Sequence, residues 1–449
     1  MIRALIIGSS DAGISAALRI KEIAPQSEVT VVAADTYPNF SICGLPFYLS
    51  GEVADWRALA HRTTKEIEQH GIGLLLDHRA LAIVPEAKRV EMQLAAGNPR
   101  EIGYDKLLIA TGAESVKPPI EGWDTPGVFF LRWMGDSFAV KQFMDQAKPR
   151  RAVIIGGGYI GLEMADALTH KGMTVTLMEF APEVLTTLDP ELGGRIRAEL
   201  QSKGVRVVTG QAVQRITQDK DTLRVHTGTG EIERAEMVLV AAGARPSTKL
   251  AQTAGIGLGA GSAIRVDRSM ATGIADIWAA GDCVQTWHRI LKRHVYMPLG
   301  TTAHKQGRVA GENMLGGKYE FQGSLGTQVV KVFDQVAART GLRDREAVEA
   351  GFDPLTVALT SWDHKVYYPG AKELHLRVTG DRSSGRLLGA QMVGHRASEV
   401  SKRIDIFATA LFHGMGVKDL CDLDLTYTPP LSSPWDPVQM AAMQWCAKL

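Results

Sequence analysis

The residues most able to do redox or nucleophilic chemistry are four cysteines, Cys43, Cys283, Cys421 and Cys446, with no Cys-x-x-Cys among them. That spacing argues against a structural zinc site or a disulfide framework and for free thiols in a reducing cytoplasm. Cys43 sits in Asn39-Phe40-Ser41-Ile42-Cys43-Gly44-Leu45-Pro46-Phe47-Tyr48. A thiolate is the reactive form of cysteine, and a helix N-terminus or a nearby cation is expected to lower the pKa of Cys43. Cys283 directly follows Asp282 and reads as packing.

Two glycine turns supply a second kind of chemistry. Gly156-Gly157-Gly158-Tyr159-Ile160-Gly161 follows an apolar strand and opens a helix. Gly156, Gly158 and Gly161 suit a tight turn, close approach of a pyrophosphate, and helix–strand contact. The helix N-terminus adds free N–H groups and a positive dipole end. Glu179 ends the next strand, where a carboxylate can accept from a ribose 2′-hydroxyl. Phe180 and Ala181 follow it, with no Arg or Lys for a 2′-phosphate, so the sequence predicts NADH in preference to NADPH. The first turn, Gly8-Ser9-Ser10-Asp11-Ala12-Gly13, keeps Gly8 and Gly13 but has Ser10 in place of the middle glycine. Asp35 is the one carboxylate where its ribose partner is sought; the alternative is a solvated loop residue.

These turns need matching elements around them. Ala4–Ile7, a helix over Asp11–Ile23, Val29–Val32 and Leu107–Ala110 make one unit, closed by Thr111-Gly112. Ala152–Ile155, a helix over Tyr159–Lys171, Thr174–Met178 and Val238–Ala241 repeat the plan, closed by Ala242-Gly243. Continuous apolar strands alternating with helices predict parallel sheets covered on both faces. Arg89–Leu94 and Leu223–His226 read as antiparallel hairpin strands. Pro118-Pro119 marks a crossover and Arg245-Pro246-Ser247 the return. Beyond Gly323, Gln328–Phe333, Thr356–Ser361 and Leu374–Thr379 read as strands of a separate sheet, with a helix over Ala397–His413. The predicted fold is α/β, with two Rossmann-like domains, 1–117 with 245–323 and 118–244, and a C-terminal α+β domain, 324–449.

The chain of 449 residues carries 22% charged residues and a formal net charge of +1, which argues against a nucleic-acid or membrane-surface partner. The apolar run Ala4–Ile7 is too short for a signal peptide or a membrane span. A cytoplasmic protein is expected.

Taken together, Cys43-Gly44-Leu45-Pro46, the two glycine turns, Thr111-Gly112 and Ala242-Gly243 resemble the pyridine nucleotide–disulfide oxidoreductases, in their single-cysteine branch. That branch holds CoA-disulfide reductases, NADH oxidases and NADH peroxidases. The resemblance covers essentially the whole chain. It implies FAD on the first unit and NADH on the second, with hydride reaching the flavin and electrons passing to Cys43. Ile277-Trp278-Ala279-Ala280-Gly281-Asp282 is similar to the segment whose Asp contacts the flavin, and Lys305-Gln306-Gly307-Arg308 to the helix beneath the isoalloxazine. Gly161-Leu162-Glu163 resembles the stretch whose Glu lies near the nicotinamide. Tyr367-Tyr368-Pro369-Gly370-Ala371 and Leu425-Thr426-Tyr427-Thr428-Pro429-Pro430 resemble the interface domain of CoA-disulfide reductases. There, tyrosines reach the partner subunit's cysteine. The resemblance thus implies a homodimer in which Tyr427 or Tyr367 protonates a departing thiolate; interface packing is their alternative role.

Departures from the family pattern shape the expectation further. Tyr48 occupies the place of the second cysteine in paired-cysteine members, so Cys43 must cycle with an external sulfur or through a sulfenic acid. Ile42 replaces an Asn before the cysteine. Arg19 and Lys21 remain on the first helix, where CoA phosphates would bind, but Glu22 follows. Asp11 stands where oxidases and peroxidases have a His, so an imidazole beside the cysteine is expected to be absent. A rhodanese domain after the interface domain is not expected. The expected activity is reduction of a small disulfide or persulfide, with CoA or another low-molecular-weight thiol. The alternatives are an NADH oxidase using molecular oxygen, and a redox sensor or electron carrier to a protein partner.

Overall fold

A computed structural model describes residues 2–94, 97 and 99–449. The first unit is a parallel five-stranded sheet in the order Ile277–Ala279, Lys106–Ile109, Arg3–Ile7, Glu28–Val32, Ile72–Leu75. The strand Arg3–Ile7 is central, and Ala4–Ile7 are all buried, as a strand covered on both faces requires. The helix Asp11–Ile23 spans the predicted residues and turns Ala12, Ile14, Ala16, Ala17 and Ile20 inward. The helix Gly300–Asn313 returns from far along the chain and lies against it. Contact is so close that a Cβ on Gly307 would sit 2.1 Å from the carbonyl oxygen of Ala12, so only glycine fits there.

The second unit repeats this architecture in the order Arg206–Thr209, Thr174–Glu179, Arg151–Ile155, Met237–Val240, Val128–Phe130, again all parallel. Arg89–Leu94 and Thr222–Thr227 are the middle strands of two antiparallel three-stranded sheets, one attached to each unit. Where the chain crosses between units, Ala113–Ser115 pairs antiparallel with Ala244–Pro246.

The C-terminal sheet is antiparallel, in the order Gln328–Val332, Gln335–Gly341, Leu387–His395, Glu373–Asp381, Pro354–Trp362. The helices Val400–His413 and Pro437–Cys446 share its apolar core. Three of its strands match the sequence expectation; Gln335–Gly341 and Leu387–His395 were not anticipated. Leu387–Gly394 is buried at every position, so it lacks the alternation that marks a half-exposed strand.

Among the described residues, no helix is long and apolar enough to cross a membrane.

Candidate active site between the two glycine turns

The second glycine turn takes the shape its sequence demands. Gly156 adopts φ +113°, and a Cβ on Gly161 would lie 1.9 Å from the carbonyl oxygen of Gly156. Gly8 and Gly13 repeat both features, with φ +118° and a 1.9 Å approach to the carbonyl oxygen of Gly8. A Cβ on Gly158 would meet no atom within 4 Å, which leaves open space at the N-terminus of the helix Tyr159–His170. Glu179 closes this turn. Its Oε2 accepts from the Gly157 N–H at 2.5 Å, and its Oε1 accepts from the Ala181 N–H at 2.7 Å. Ion pairing leaves it untouched among the described residues, and Phe180 beside it is 77% exposed.

In the first turn, Ser10 precedes the helix without capping it through its side chain. Asp35 is half-buried and accepts from the Tyr37 N–H at 2.9 Å; burial raises its pKa. The closing turns tie the units together. The Thr111 hydroxyl donates to the carbonyl of Ser247 at 2.7 Å, Ser247 N–H to that of Gly112, and Val116 N–H to that of Gly243.

Asp282 is held by Arg132, with Nη2 2.7 Å from Oδ2 and both side chains largely buried. Arg132 follows the strand Val128–Phe130 and carries no motif, so sequence reasoning missed it. Gly281 N–H donates to Oε1 of Gln306 at 2.9 Å, and the Gln306 amide donates onward to Thr286 at 3.2 Å. Lys305, beside Gln306 on that helix, is exposed. The two neighbours point about 100° apart on the helix, so Gln306 faces the protein interior while Lys305 faces outward. Cys283 is buried, and burial pushes its thiol up to about 11, consistent with the packing reading.

Cys43 lies in a short 3₁₀ turn, Ile42–Gly44, that runs into the helix Leu45–Ser50. Leu45 and Leu49 belong to the core built by the second unit, together with Leu162 and Leu168. The sulfur is therefore wedged between the two units while the side chain remains exposed. Its charged neighbours are Glu163, Asp11, Arg132 and Asp282. Protein surrounds the sulfur closely enough that lost hydration raises its pKa, and Glu163 and Asp11 add to the rise while Arg132 opposes it. This corrects the expectation of a lowered pKa: in the chain by itself, burial and three carboxylates, Glu163, Asp11 and Asp282, outweigh one guanidinium.

Glu163 is raised from 4.5 to about 7, first by burial, with Lys331 opposing and Asp166 reinforcing. Lys331, from the C-terminal sheet, holds Asp166 at 2.8 Å, and Phe333 N–H donates to the same carboxylate. A histidine approaches Asp11 from elsewhere in the chain. His304, from the helix Gly300–Asn313, brings Nε2 to 3.4 Å from Asp11 Oδ1 and Nδ1 to 2.8 Å from the Ser15 hydroxyl. His61 stacks edge-on to it at 6.3 Å between centroids.

On the outer part of the first helix, the basic residues are already engaged. Arg19 pairs with Glu312 at 2.6 Å and Glu22 at 2.8 Å, while Lys21 donates to the carbonyls of Pro25 and Ser27. Tyr367 and Tyr427 are exposed by 73% and 45% on the third domain, and a hydrogen bond with Tyr427 raises the Tyr367 pKa. Neither hydrogen-bonds Cys43 within one chain. Val366, Leu431 and Trp435 are exposed with them.

The residues fit a flavin dinucleotide at the first turn and a nicotinamide dinucleotide at the second. Arg132 Nε, Asn39 Oδ1 and Tyr296 Oη are buried without a protein partner. Asn39 is anchored to Ser9 of the first turn and Tyr296 neighbours Asp282. Buried polar atoms left unpaired in a cleft call for a polar ligand.

The sequence pattern described as pyridine nucleotide-disulphide oxidoreductase matches residues 2–307, and that described as the dimerisation domain of the same proteins matches 327–437. The chain is 34% identical over 441 residues to an NAD(P)H coenzyme A polysulfide/persulfide reductase of Pyrococcus horikoshii, covering 98% of this chain and 97% of that one. It is 31% identical over 444 residues to a coenzyme A disulfide reductase of Staphylococcus haemolyticus, covering 98% of each. A solved NAD-dependent persulfide reductase from A. fulgidus superposes with a TM-score of 0.95 at 38% identity, over 100% of this chain and 83% of that one.

Proposed function

The chain belongs to the pyridine nucleotide-disulphide oxidoreductases, and from that premise we propose that it is an NADH-dependent flavoenzyme that reduces a low-molecular-weight disulfide or persulfide through Cys43. The observation that carries this reading is the position of Cys43 between the two glycine turns, exposed, among Asp11, Arg132, Glu163 and Asp282. FAD, when bound, supplies the passage of two electrons from the nicotinamide hydride to sulfur.

The chain's own residues do the rest. The first turn, Asp35 and the Arg132–Asp282 pair would hold FAD. The second turn would take the NADH pyrophosphate, with Glu179 accepting from the adenosine ribose. That carboxylate repels a 2′-phosphate, which supports NADH over NADPH. Cys43 attacks one sulfur of the acceptor RSSR, forming a Cys43–SR mixed disulfide and expelling one thiolate. Two electrons then break that bond and free the second thiol. The sum is NADH, one proton and RSSR giving NAD⁺ and two RSH.

Protons come from groups around the sulfur. Glu163, raised to about 7, exchanges a proton near neutrality and tunes the thiol by its charge. Tyr427, paired with Tyr367, would protonate the leaving thiolate across a homodimer interface. The exposed apolar side chains around both tyrosines support such an interface. The division into 1–117 with 245–323, 118–244 and 324–449 belongs to the same reading, supported by the sheet that each segment joins.

An anaerobic NADH titration of wild type and Cys43→Ser tests the proposal. Wild type should take up electrons beyond the capacity of its flavin, and the variant should not. Equal uptake in the two would remove Cys43 from the electron path.

A further inference from the structure

The sulfurs of Cys421 and Cys446 lie 4.0 Å apart, outside any site described above. Cys421 is in the 3₁₀ helix Lys418–Asp422, and Cys446 ends the helix Pro437–Cys446. Both are half-buried. The backbones that carry them are already docked. Gln439 donates its amide to the carbonyls of Cys421 at 3.2 Å and Leu423 at 2.8 Å, and the Trp445 indole donates to the carbonyl of Leu355 at 2.7 Å. A disulfide needs the sulfurs about 2.0 Å apart, so the two must close about half of their present separation.

The stretch between the two cysteines contains Tyr427. From Leu423 to Asp436 it has no helix or strand, and Tyr427, Leu431 and Trp435 are exposed. Its polar ties to the domain include Gln439 to the Leu423 carbonyl, Arg403 to Asp436 and the Leu431 carbonyl, Lys365 N–H to the Pro429 carbonyl, and the Tyr427–Tyr367 contact. A bond at its base would restrict this segment.

We propose that Cys421 and Cys446 form a second, non-catalytic dithiol that a low-molecular-weight disulfide oxidises to an intrachain disulfide, pinning the Tyr427 segment when reductant is scarce. Burial, with Cys446 beside it, disfavours the Cys421 thiolate, and the first attack is assigned to Cys446 at the end of its helix. Its sulfur displaces one thiolate from RSSR and becomes a mixed disulfide. Cys421 then attacks the Cys446 sulfur, gives its proton to the departing thiolate, and expels the second RS group. Two cysteine thiols are oxidised, RSSR is reduced to two RSH, and the reaction speeds up as pH rises. The oxidant class comes from the proposed function, while the chemistry is independent of Cys43.

The test uses flavin-loaded Cys43→Ser protein treated with bis(2-hydroxyethyl) disulfide, alkylated, and mapped by mass spectrometry without reduction. The three remaining cysteines should fall to one free thiol. One cross-link should join the Cys421 and Cys446 peptides, and dithiothreitol should reverse it. Adding Cys421→Ser or Cys446→Ser should abolish the cross-link, with cleavage by a protease within 423–436 slower only in the cross-linked form. Stable mixed disulfides on both sulfurs, two unreacted thiols, or equal cleavage would overturn the proposal. Because no turnover is read, failure here is distinct from failure of the proposed function.

Discussion

Arg132 reaches from the second nucleotide unit to Asp282 of the first, with 2.7 Å between Nη2 and Oδ2. One guanidinium thereby neutralises a buried carboxylate, joins two sheets, and offers Cys43 its only opposing charge among the four that act on it. Breaking a largely buried pair by removing one partner costs about 3 kcal/mol or more. Arg132→Met should lower unfolding stability by that order, measured by denaturant titration. It should also raise the Cys43 pKa, read as slower iodoacetamide alkylation at neutral pH. Faster alkylation would contradict the assigned sign.

Glu163 makes stability depend on pH. Its folded pKa of about 7 lies above the ordinary 4.5, so the folded state binds the proton more tightly than the unfolded chain. The associated stabilisation is full below about 4.5, declines as pH rises, and is gone above about 7, a change of about 3 kcal/mol. Glu163→Gln should therefore flatten the stability profile over that range relative to wild type. The same variant should lower the Cys43 pKa, since the carboxylate charge raises it.

The proposed preference for NADH rests on Glu179. Glu179→Gln with Phe180→Arg should keep the turn, because the amide oxygen can still accept one backbone N–H. The ratio of kcat/KM for NADH over NADPH should fall at least about tenfold, near 1.4 kcal/mol. An unchanged ratio would move the selectivity elsewhere.

Tyr427→Phe removes a proton donor and little volume. Turnover with a small disulfide should fall by about 10²-fold, while flavin reduction by NADH in a stopped-flow trace should be unchanged. Full turnover would leave Tyr427 a packing residue.

Much of the architecture is legible because the turns and buried strands are local signals. Gly156 to Gly161, the helix Asp11–Ile23 and Glu179 at its strand end follow from spacing alone. What the sequence conceals is produced by distance or by phase. Arg132 meets Asp282 only when 150 positions of chain fold back. His304 arrives at Asp11 from a helix packed late in the chain, supplying an imidazole that the first turn lacks. Gln306, which no motif singles out, holds Gly281 and Thr286 from the buried face of its helix. The raised pKa of Cys43 depends on burial and on Glu163 and Asp11, none of which a cysteine motif encodes.

The tie between Lys331 and Asp166 bears on how this protein could be taken apart. Asp166 lies one helical turn beyond Glu163, and its cation comes from the C-terminal sheet. A shortened version ending before that sheet would leave Asp166 a bare carboxylate beside Glu163, without the ammonium that opposes their repulsion. The tail region is thus no detachable module, and grafting the front part onto another scaffold would require a replacement ammonium at the same spot.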